Sequence, residues 1–147
     1  MTRIEALKTY LVDVLTSLNK SYGKMNVNFL SNNIDDYNLQ KIPNKTIVNE
    51  DISGNFIDCK DQYNFMGRYT YGSNIAENLE NMGFWEKFES KIYSNNEKGT
   101  LPNIDGIIEI KCLNCGSIQD AEPQSCVMSI QIEIDYEVDS TSTIASL

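Results

Sequence analysis

The chain has no histidine in its 147 residues. That absence excludes every catalytic triad in which imidazole is the base, and it removes a common zinc ligand. Positive charge is scarce. Twelve lysines and arginines stand against 21 aspartates and glutamates, a formal net charge of −9. A free-standing nucleic-acid binder needs a basic patch, and none is visible here. Apolar runs fall far short of the roughly 20 residues that a membrane-spanning helix requires. The opening "MTRIEALKTYLVDVL" mixes acidic residues among its apolar ones, unlike a signal peptide. Synthesis and residence in a cytoplasm, with thiols reduced, is the expectation. No glycine-rich phosphate loop is present, because "GKMN" and "YGSN" lack the spacing. Repeats and low-complexity tracts are missing too.

What remains suits one domain with a real core: 41% of the residues are apolar and 22% charged. Ile4, Leu7, Leu11, Val14, Leu15 and Leu18 recur at three- and four-residue steps, which predicts an amphipathic helix. Thr2 is its expected N-cap and Gly23 its expected terminator. Short strands are expected around Asn26–Leu30 and Ile34–Ile42, with a turn at Pro43-Asn44. A longer strand is expected within Phe56–Tyr71, where Tyr63, Phe65, Tyr69 and Tyr71 share one parity.

The central stretch reads as a helix in two pieces. Ser73 is the expected cap of the first, which places Ile75, Leu79 and Met82 on one face. Gly83 is expected to break or bend it. The second piece carries Phe84, Trp85, Phe88 and Ile92, large side chains that need a sheet to cover them. That sheet comes last. Cys126, Met128, Ile130, Ile132, Ile134, Tyr136 and Val138 alternate with Val127, Ser129, Gln131, Glu133, Asp135 and Glu137. A strict period of two predicts a strand buried on one face and acidic on the other. Ile108, Ile110 and Cys112 alternate with Glu109 and Lys111 as its antiparallel partner. The predicted class is α+β, an antiparallel β-sheet with an N-terminal helix and a central broken helix packed on one face. One domain spans 1–138, followed by a loose arm at 139–147.

Two patterns invite a chemical reading. The run "KCLNCGSIQDAEPQSC" holds Cys112, Cys115 and Cys126, and Cys59 lies far upstream. A structural zinc site wants four ligands, commonly from two Cys-x-x-Cys knuckles, and only one knuckle exists. A redox pair wants a helix after the motif, and no helical pattern follows. Buried or loop cysteines in a hairpin joining the last two strands are the simpler reading, so no metal or cofactor is assigned. The carboxylates Asp35-Asp36, Asp58/Asp61 and Glu133/Asp135/Glu137 are the other candidates. Catalytic acids need one group in an apolar pocket and a partner in a polar one. Alternating carboxylates on a strand suit a solvated or lumen-facing surface instead. No catalytic residue is assigned, and enzymatic function is not expected.

Composition stops at an acidic α+β domain, but resemblance goes further. The order of "MNVNFLSNNIDDYNLQKIPNKTIV", "YNFMGRYTYGSNIAENLENMGFWEKFESKIYSNNEKGTLPNI" and "SIQIEIDYEV" resembles the small minor capsid and tail-terminator (neck) proteins of tailed phages, over roughly residues 3–138. "ENLENMGFWEKFESKI" and "NNEKGTLPNI" are the most family-like runs, whereas Cys112 to Cys126 matches no family motif. The resemblance implies a virion structural protein of the tail or neck, assembled in the host bacterial cytoplasm. Its copies would form a hexameric ring that caps the head-proximal end of the tail tube and stops tube polymerisation. The implied partners are other copies, the tube protein, a neck or connector protein on the head side, and sheath protein where the tail contracts. DNA would pass through the channel without specific binding, and no membrane is involved. A head-completion or stopper ring, and a small module built on Cys112, Cys115 and Cys126, stay open as alternatives.

Overall fold

The computed structural model describes residues 1–50 and 56–139. It is α+β. Helix α1 spans Arg3–Ser17 and α2 spans Ile75–Lys98. The strands are β1 (Met25–Val27), β2 (Tyr37–Glu50), β3 (Phe56–Thr70), β4 (Ile107–Cys112), β5 (Ser117–Ala121) and β6 (Ser125–Asp139). They form one sheet in the order β1-β2-β3-β6-β4, and β5 pairs with β6 alongside β4. β1 runs parallel to β2, and the remaining pairs are antiparallel. Of the expected arm at 139–147, Asp139 ends β6 and the rest lies outside the described residues.

The alternation in the last strand decides the core. β3 and β6 pair without interruption from Phe56↔Asp139 to Thr70↔Ser125, so their inward rows coincide. Tyr63, Phe65 and Tyr69 lie beside Ile132, Ile130 and Cys126 and are buried with them. Both helices close over this one face. α1 contributes Leu7, Leu11, Val14 and Leu15, and α2 contributes Phe84, Trp85, Phe88 and Ile92. Buried Asn95 of α2 donates to the Tyr10 hydroxyl of α1 at 3.1 Å, which fixes the helices against each other.

Several local expectations need correction. α2 is one continuous helix through Gly83, capped by Asn74 rather than Ser73 and closed by left-handed Gly99. A mid-helix glycine costs only about 1 kcal/mol, and the aromatic contacts that begin at Phe84 outweigh it. The face Ile75–Leu79–Met82 is not buried, with Ile75 74% and Leu79 67% exposed, because α2 meets the core only from Phe84 onward. α1 ends before Gly23, and Asn19 takes the left-handed conformation instead. No turn forms at Pro43-Asn44. β2 continues through it with a register shift between Lys41 and Lys45, and at such a bulge a missing N–H costs little.

Residues 113–125 are also more than a hairpin turn, since they contain β5. The preceding loop lies against Trp85, and a Cβ on Gly116 would come within 2.4 Å of the indole Cγ. Only glycine fits there. On β4, the irregularity between Ile107 and Glu109 turns Ile108 out to solvent, while Ile110 stays buried opposite Ile134.

Candidate functional site

The cysteines do not converge. Cys112 ends β4 opposite Ile132, whereas Cys126 starts β6 opposite Tyr69. Six residues of strand separate Ile132 from Cys126, a distance of about 20 Å. Cys115 is exposed, Cys126 and Cys59 are buried, and no disulfide joins any of the four among the described residues. Burial pushes the Cys112 thiol up to about 12, with the charges of Glu89 and Cys115 adding to the effect. Burial also raises the Cys126 thiol, against the opposing charge of Arg68. A thiol held neutral is a poor nucleophile and a poor metal ligand. Among the described residues no group of three His, Cys, Asp or Glu side chains is placed to hold a metal ion.

The paired carboxylates come apart as well. Asp36 is buried and structural. Its carboxylate accepts from Ser31 Oγ at 2.6 Å and from the Lys24 N–H at 2.9 Å. The Ser31 bond leads in holding it below the usual carboxylate range. Its neighbour Asp35 instead pairs with Lys20 at 3.6 Å. Asp58 and Asp61 lie on opposite faces of β3, as their odd spacing requires.

Of the candidate carboxylates, Asp61 is the one that the structure sets in a buried cluster of charged and polar groups, although not with Asp58. It is fully buried on the helix side, where its Oδ2 accepts from Arg3 Nε at 3.0 Å and from the Tyr136 hydroxyl at 3.2 Å. Lys41 Nζ stands 3.8 Å away, and Arg3 also lies over the Tyr136 ring at 4.7 Å. The parity it shares with Tyr63 and Phe65 was the available signal. This cluster ties the start of α1 to β2, β3 and β6, which is a structural task.

The open face of the sheet carries the acidic row. It is not the freely solvated surface that the alternation predicts. Glu133 is 6% and Asp135 8% exposed, while Glu137 is exposed. Side chains on the neighbouring strands screen them: Lys111 Nζ lies 3.4 Å from Glu133, and Gln62 Nε2 donates to it at 3.4 Å. Asp135 sits between Lys60 of β3 and Glu109 of β4. One oxygen of Asp135 and one of Asp58 are buried without a donor among the described residues.

Burial raises the Asp135 carboxyl to about 7, with Asp58 next and Glu109 adding, while Lys60 opposes. The native state therefore holds a proton that the unfolded chain, with an ordinary value near ~4, has lost. Stability from this group is complete below about pH 4 and falls as pH rises toward about 7. Asp135→Asn is expected to melt about 2–4 °C above wild type at pH 8, the gap closing toward pH 4. Thermal melts across that range check this, and a gap independent of pH would contradict it.

Compared with protein-family profiles and with curated proteins, the chain matches none. No helix among the described residues is long and apolar enough to cross a membrane. The geometry that remains to be explained is lateral. β1 and β5 lie at the two ends of the sheet, and both ends carry exposed apolar side chains.

Proposed function

We propose that this chain is a structural subunit of a phage or phage-tail-like particle, a tail terminator. Six copies form a ring on the head-proximal end of the tail tube, stop its polymerisation and present the surface that joins the head. The observation supporting this most directly is a sheet that, among the described residues, is covered by helices on one face only, polar on the other, and unpaired at both ends. Such a subunit has an edge for each neighbour and a face left over for a channel or a partner ring.

Each copy brings a formal charge of −9, so a closed ring is strongly acidic. A channel bordered by exposed Glu137 repels passing DNA, where a basic wall would hold it through counterion release. The tube protein and a connector protein are the partners in this reading, with sheath protein in a contractile tail. A neighbouring neck ring is the second reading, because it would use the same edges.

Purified protein added to polymerising tube protein is expected to shorten the tubes and to appear as a ring at one end by electron microscopy. Tubes of unchanged length with bare ends would refute the terminator reading. Binding to the connector without any effect on tube length would favour the neck ring.

A further inference from the structure

We propose that copies of this chain join head to tail through the two ends of the sheet, the β1 end of one seated against the β5 end of the next. The proposal deepens the ring reading above and rests on it for its biological setting. Six of the eleven large apolar side chains exposed among the described residues lie in these two regions. Val27 on β1, Phe29 just beyond it and Ile34 in the following loop occupy one. Ile108, Leu113 and Ile118, on β4, the intervening loop and β5, occupy the other. Phe29 is 63% exposed and Ile118 47%. Exposed apolar side chains gathered at unpaired strand edges are a liability unless a partner covers them.

The backbone narrows the choice of edge. On β4, the side-chain amide of Asn96 takes up both the N–H and the carbonyl of Ile110, so α2 closes that edge at its middle. Among the described residues β5 has no such cover. All five of its residues are exposed, and among the described residues it pairs only with β6. β1 likewise pairs only with β2.

Charge selects unlike ends over like ones. Lys24, exposed immediately before β1, stands at one end, and exposed Asp120 and Glu122 stand at the other. Two β5 ends would set these carboxylates against themselves, whereas a β1 end offers them a cation. The two ends are opposite edges of one sheet, so each copy can use both at once. Association then continues from copy to copy until it closes into a ring.

The test blocks one end at a time. Phe29→Asp disables the β1 end and Ile118→Asp the β5 end, and both side chains are exposed enough for the fold to be kept, which circular dichroism checks. Masses are measured by light scattering and native mass spectrometry over a concentration series. Wild type is expected to form assemblies larger than a dimer, and each variant alone to lose assembly completely. An equimolar mixture of the two variants should give a one-to-one dimer and stop there, since it has one intact junction. A wild type that stays monomeric, a variant that assembles like wild type, or a mixture that stays monomeric would each overturn the proposal. If wild-type rings survive both substitutions, the edges are wrong while the ring reading stands. If the edges behave as expected but tubes are not capped, the junction stands and the terminator reading fails.

Discussion

Phe88→Ala is expected to destabilise the protein by about 3–5 kcal/mol, the range for deleting a fully buried aromatic ring. Phe88 has no exposed surface. It stacks on Phe65 at 5.4 Å between ring centroids and meets Trp85 edge-on at the same distance. Phe84 lies 6.1 Å away, and Phe65 in turn stacks on Tyr37 at 5.3 Å. These rings bridge α2 to β3 and β2, so the cavity left by alanine opens where three elements meet. Rings held by several neighbours cannot collapse inward freely, which places the cost in the upper part of the range. Denaturant unfolding should show a lower midpoint with an unchanged slope. A variant that unfolds like wild type would mean that the ring is not in the core. Phe88→Leu, which keeps most of the volume, should recover more than half of the loss.

The core was legible because β6 repeats its pattern for so long. Every even position from Cys126 to Tyr136 is buried, and the parity of Tyr63, Phe65 and Tyr69 in β3 matches it. Period alone says which side a residue faces. It does not say what the neighbouring strands do to that side. Glu133 and Asp135 point to the open face as expected, yet Gln62, Lys60, Glu109 and Lys111 on β3 and β4 crowd around them. Strand β5 left no trace in the sequence for the opposite reason. Among the described residues it pairs on one side only, and all its residues are exposed, so nothing forces an apolar alternation.

Gly83 and Pro43 misled because their local preferences are worth about 1–3 kcal/mol and packing or a bulge can override them. The two lateral ends were hidden for a further reason. Val27, Phe29, Leu113 and Ile118 are scattered along the chain, and only the strand order brings them to opposite edges.

The second large effect is expected at Asp61, the one carboxylate among the described residues that is fully buried on the helix side of the sheet. Arg3→Ala removes its 3.0 Å charge-assisted hydrogen bond and leaves Lys41, at 3.8 Å, as the nearest cation. Removing one partner of a buried pair costs about 3–5 kcal/mol when the remaining charge is uncompensated. Here Lys41 and the Tyr136 hydroxyl stay, and the Arg3 side chain is itself 28% exposed, so about 2–3 kcal/mol is expected. Lost packing of the guanidinium over the Tyr136 ring, 4.7 Å from its centroid, is part of that figure.

Asp61→Asn keeps the shape and one acceptor, and should cost about 1–2 kcal/mol. Combining the two should cost less than their sum by about 1 kcal/mol, because the double variant no longer buries a carboxylate short of a partner. The effect of Arg3→Ala should hardly change with added salt, since Asp61 is shielded from the solvent that screens surface pairs. Urea unfolding of the wild type, both single variants and the double variant measures all four corners of the cycle. Strict additivity would mean that Arg3 acts only by packing on Tyr136, and that Lys41 and the tyrosine hydroxyl already meet the needs of Asp61.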